Sequence, residues 1–140
     1  MKRALAGLLG VLLAANGLAM LAAGRAWYFA VPGVTATGPY NPHFVKDIGM
    51  AYLVTALGLG WFAARPRQGW SALVCAAAFL TLHGLIHVAD AVGSPVCGQD
   101  LLRDLPGVFL PAQIAAAIAA LSIQTQGETH AEGLPQPHHL

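Results

Sequence analysis

The sequence predicts an all-α fold, an integral membrane four-helix bundle with two longer loops on the outer side and a short polar C-terminal tail. Three observations predict it. The 140 residues are 56% hydrophobic and 9% charged, whereas a soluble domain carries about 25% charged residues. The mean hydropathy is +0.61. The few charges also divide the chain into four uncharged windows, 4–24, 48–64, 68–89 and 105–127. Each is close to or above the ~17–25 residues that a helix needs to cross the hydrocarbon core. The expected helices cover about 4–26, 42–64, 69–91 and 105–123. Together they form one transmembrane domain over 1–123, followed by a flexible tail over 124–140.

The first helix follows Lys2 and Arg3. A secretory signal would show the same positive start, but its apolar region usually spans about 7–15 residues. The run here is longer, so we read it as a retained helix. Gly10, Ala14 and Gly17 lie at helical spacing and suit close helix packing. Asn16 is its one strongly polar residue. The stretch 25–40 reads as a long loop. Trp27, Tyr28, Phe29 and Tyr40 form an interfacial aromatic belt, and Pro32-Gly33 and Gly38-Pro39 signal turns.

The second helix has a good start, with Asn41 as N-cap and Pro42 at the first helical position. A tight hairpin over 65–69 leads to the third helix. The next loop, 92–104, contains Ser94-Pro95 and Gly98 as turn signals and room for a short interfacial helix over 101–104. In the fourth helix Pro111 has no N–H to donate and should leave the Gly107 carbonyl free, kinking the helix. Ala112, Ala116 and Ala120 form a small-residue stripe there, with Gln113 just past the kink. Cys75 and Cys97 fall on opposite sides of the membrane, too far apart for a disulfide.

The stretch Thr81 to Asp90, TLHGLIHVAD, carries the chemistry. His83, His87 and Asp90 share one helix face, and ionisable groups inside a membrane segment are costly and default to function. His43 and Asp47 open the second helix at the same side of the membrane. Asp47 lies eighteen residues above Arg65 and His87 eighteen above Gly69, so the two come out at similar height. His43, Asp47, His83 and His87 therefore define a candidate metal site, with Asp90 as a fifth ligand, a tautomer-fixing partner or a candidate catalytic base. Zinc fits this donor set best, and copper or iron also fits imidazole and carboxylate. The paired i, i+4 donors resemble the arrangement in membrane zinc transporters, larger chains with which the likeness covers a handful of residues. The bland reading is a polar rim, in which Asp47 profits from a helix N-terminus and Asp90 pairs with His87 or Arg103. His83 lies about two turns inside the end and resists it.

Three functions follow as expectations. One is a membrane metalloprotein, either a metalloenzyme acting on a lipidic or quinone-like substrate or a metal-handling subunit. Another is a haem carrier with axial ligands from two helices, since an i, i+4 pair cannot flank one haem. The third is a structural or accessory subunit with a polar packing cluster. A proton relay is a variant of the first. Conduction would need a polar path to the other side, where the helices offer only Thr55, Ser71, Cys75 and Ser122. The expected partners are the lipid bilayer and a homo-oligomer or larger membrane complex. The net charge of +1 and the lack of a basic patch exclude nucleic acid. Cation placement, four against three, favours a bacterial-type inner membrane protein with both termini cytoplasmic.

Overall fold

The structure is a computed structural model that describes residues 1–132, with side chains through residue 123. It is helical throughout, with α1 (Lys2–Ala30), α2 (Pro42–Ala64), α3 (Trp70–Val92), α4 (Cys97–Asp104) and α5 (Leu110–Glu132). Among the described residues, four stretches are long and apolar enough to cross a membrane, Lys2–Ala30, Pro42–Ala64, Trp70–Val92 and Cys97–Ile123. The chain is a multi-pass membrane four-helix bundle. Its bare faces say the same. Leu8, Val11, Leu12 and Leu18 on α1 are exposed, as are Val54, Leu57 and Trp61 on α2 and Leu82, Leu85 and Ile86 on α3. A bundle facing water would carry polar side chains on those faces, so these contact lipid.

Close backbone approach joins α1 to α2. A Cβ on Gly17 would lie 2.7 Å from the Gly49 carbonyl oxygen, and one on Gly10 would lie 3.2 Å from that of Ala56. In a bilayer, helices associate through van der Waals contact and not through exclusion from water, so small residues at the crossing are what allows it. The expected stripe on α1 thus does its work. In the bundle α3 packs against both α2 and α5, and α1 touches α5. Met20, Leu59 and Leu73 are the largest fully buried side chains among the described residues.

The two cations at the start of α1 cap carbonyls at the same end of the bundle. Arg3 Nε donates to Ala63 O at 2.7 Å and Lys2 Nζ to Leu121 O at 2.7 Å. Ala63 lies in the last turn of α2, and cations suit helix C-termini, where carbonyls lack partners; Leu121 lies within α5. The hairpin 65–69 closes this end. The 31–41 and 93–96 connections and α4 lie at the other, the loop end.

Several boundaries differ from expectation. Helix α1 continues to Ala30, through residues expected in a loop. Its backbone leaves helical geometry at Ala23 (φ −137°, ψ 39°). Trp27 Nε1 donates to Asn16 Oδ1 at 2.9 Å. Eleven residues of straight helix would span ~16 Å, so the bend at Ala23 is what brings the indole back. Beyond the bend, 24–30 is a second helical segment carrying Trp27, Tyr28 and Phe29 of the expected aromatic belt. Tyr28 is buried, and its hydroxyl donates to the Gly38 carbonyl.

The short helix expected over 101–104 begins earlier, at Cys97. The irregularity expected at Pro111 takes the form of a π-helical turn, Leu105–Phe109, just before it. There the Leu110 N–H reaches back five residues to Leu105 O. On α5 the buried row is Ala112, Ala115, Ile118 and Ala119, while Ala120 is exposed. Steps of four overshoot a 3.6-residue turn by about 40° each, so the expected row drifts off the contact. The α5 helix runs on to Glu132, into the stretch expected as tail. The rest of that expected tail, 133–140, lies outside the described residues.

Candidate functional site

The loop end gathers a line of polar side chains from three helices. It starts at Tyr52, buried about midway along α2. Its hydroxyl lies 3.2 Å from His83 Nε2 on α3. Phe79 stacks on the His83 ring, with centroids 6.0 Å apart and planes 12° apart. Tyr52 also meets Phe79 edge to face at 5.9 Å. The imidazole is thus held by an aromatic wall on one side and a phenol at its tip.

One turn further, His87 meets His83 edge to face, with centroids 4.8 Å apart. The i, i+4 spacing on α3 enforces this neighbourhood. His87 Nδ1 lies 2.7 Å from Asp104 Oδ2. Asp104 ends α4 and is 8% exposed. A buried carboxylate needs partners, and Arg103 supplies them through Nε to Oδ1 at 2.7 Å and Nη2 to Oδ2 at 3.1 Å. Arg103 also donates from Nη1 to Asp100 Oδ1 at 2.6 Å.

The local sequence explains this end. Asp100, Arg103 and Asp104 fall on neighbouring positions of one short helix. Gly33, at φ 85°, lies directly beneath the Arg103 guanidinium, and a Cβ there would clash with it. The connection between α1 and α2 therefore closes over the ion group. Asp100, Arg103 and Asp104 sum to one negative charge. A proton held on His87 would bring the four groups to zero and make His87–Asp104 an ion pair.

The expected ligands separate into two groups. His83 and His87 stand together in this line. His43 and Asp47 pair with each other at 3.4 Å, with side chains 88% and 60% exposed, and make no contact with the α3 histidines. Asp90 is exposed and makes no hydrogen bond or ion pair among the described residues. Among the described residues no three His, Cys, Asp or Glu side chains are grouped to hold a metal ion. Asn16 is taken up by Trp27, and Gln113 is exposed. Cys75 and Cys97 are both free thiols.

Sequence reasoning missed Tyr52, Arg103 and Asp104. Tyr52 was within reach. It lies thirteen residues above Arg65, and His83 lies fourteen above Gly69, so the depth count that paired His87 with Asp47 also pairs Tyr52 with His83. Asp104 carried no such signal, because its height depends on how the 93–104 stretch folds back.

In the comparisons with protein families, curated proteins and solved structures, nothing matches this chain. What fold and site define is a class, a small multi-pass membrane bundle with a histidine pair on one of its long apolar helices, flanked by a tyrosine and a buried carboxylate.

Proposed function

We propose that this protein carries protons between the loop end of the bundle and the depth of Tyr52, for acid–base work on an apolar, lipid-phase substrate. One observation carries the reading. Tyr52 with His83 and His87 with Asp104 form two hydrogen-bonded pairs, and the edge-to-face contact of the two imidazoles brings these proton-exchanging groups into one line. Intramembrane chains of Asp, His and similar groups serve as proton relays. His87 is oriented by Asp104, as an imidazole is by a carboxylate in acid–base sites. Arg103 keeps that carboxylate fixed in place.

The line stops halfway. Beyond Tyr52 and His83, toward the hairpin, α2 and α3 hold no Asp, Glu, Lys, Arg or His in their spans. Conduction across the bilayer is therefore not the role. A half-depth relay suits a reaction whose substrate sits in the membrane and whose protons come from one side. With the termini on the cytoplasmic side, as the cations favour, the relay opens outward.

Infrared difference spectroscopy of the bilayer-reconstituted protein after a pH jump tests this. In wild type the Tyr52 ring and Asp104 carboxyl bands respond together. In His83→Phe, which keeps the stack on Phe79, Tyr52 stops responding while Asp104 continues. An unchanged Tyr52 response in that variant refutes the relay.

A second reading keeps the metal. With Nδ1 on Asp104, His87 leaves Nε2 available beside His83, the way a carboxylate orients a metal-binding imidazole. Two imidazoles would then be the protein's donors, and zinc, copper or iron would complete its shell elsewhere. Elemental analysis separates the readings. Stoichiometric metal lost in His83→Ala supports this one, and metal-free wild type rejects it.

A further inference from the structure

Away from the histidine line, the second helical segment of α1 and the start of α2 enclose an open groove of about 670 Å³. We propose that it seats an anionic phospholipid, phosphate on Arg25 and Lys46 and one acyl chain along Leu21, Ala22 and Ala26. The bend at Ala23 makes the space, because it tilts the end of α1 away from the line of the helix while small side chains leave the floor low. The lining holds two cations and no acid. Neither Arg25 nor Lys46 has a carboxylate partner among the described residues, whereas Arg103, on the same side, is paired with Asp100 and Asp104. The Arg25 guanidinium lies 5.6 Å from the Phe29 ring centroid and 6.0 Å from that of Tyr40, which holds it over the groove. Those rings belong to the interfacial aromatic belt, so the cations sit at headgroup height. Below them the floor is apolar and continues into the span. Cations over an apolar slot at that height match a phosphate with a chain beneath it.

Native mass spectrometry of the detergent-solubilised full chain tests the proposal. The probe is an equimolar mixture of dioleoyl phosphatidylglycerol and dioleoyl phosphatidylcholine. Wild type should retain the glycerol lipid in preference. Arg25→Gln and Lys46→Gln should each weaken retention about fivefold, the worth of one cation near an anionic surface. Ala26→Trp, which fills the groove and keeps both charges, should weaken it too. Arg65→Gln, at the hairpin end, should leave it unchanged. Equal retention of both lipids by wild type overturns the proposal. So does a loss in Arg65→Gln as large as in Lys46→Gln, full retention in Ala26→Trp, or displacement of the lipid by excess inorganic phosphate, which would mark a bare anion site.

Discussion

Removing the Asp104 carboxylate should cost far more than removing either acid that the spacing of the sequence singles out. Asp104 accepts from Arg103 Nε at 2.7 Å, Arg103 Nη2 at 3.1 Å and His87 Nδ1 at 2.7 Å. Charge-assisted hydrogen bonds contribute about 1.5–3 kcal/mol each when buried. The Arg103 side chain is 31% exposed and keeps Asp100, so its share shrinks toward the ~1 kcal/mol of a surface pair. His87 has no second partner at Nδ1. Asp104→Ala should therefore destabilise the bundle by about 2–3 kcal/mol. Asp47→Ala breaks only an exposed contact, and Asp90→Ala breaks none. Each should stay within about 0.5 kcal/mol of wild type. Unfolding of the detergent-solubilised variants, followed by circular dichroism, measures all three. If Asp104→Ala is as stable as Asp90→Ala, the ion group at the end of α4 does not exist as described.

Three further outcomes are expected. Gly17→Ala puts a methyl 2.7 Å from the Gly49 carbonyl and should cost about 1–3 kcal/mol as overpacking. Gly60→Ala meets nothing within 4 Å and should be neutral or slightly stabilising in the same unfolding assay. On the proton-relay reading, gently purified wild type should show neither stoichiometric metal by elemental analysis nor a Soret band. Either signal would favour the corresponding cofactor.

The four spans were legible because hydrocarbon imposes its own length rule, and seven cations and six acids in 140 residues leave the windows plain. The start of α2 was equally legible, since the Asn41 side chain accepts from the His43 and Phe44 N–H groups as its type predicts. The site was half legible. Helical spacing put His83 beside His87, and depth put both near the loop end. Depth does not fix rotation about a helix axis. The close packing of α1 on α2 through Gly17 and Gly49 sets that rotation, and it leaves His43 and Asp47 outside while turning Tyr52 inward. Asp104 fills the place expected for Asp47 because Cys97–Asp104 folds as a helix against α3. The Arg103 guanidinium of that helix lies against the Gly33 turn, a contact seventy residues apart that no local pattern announces.

On the relay reading the four side chains act as one unit across the ring contact between His83 and His87. Nitrogen NMR of the bilayer-embedded protein, labelled at histidine with nitrogen-15, reads the tautomer of each ring directly. Asp104→Asn perturbs only the far end of the line, two groups from His83. If the line is coupled, the His83 ring signals change along with those of His87. A His83 spectrum identical to wild type, beside an altered His87, would contradict it.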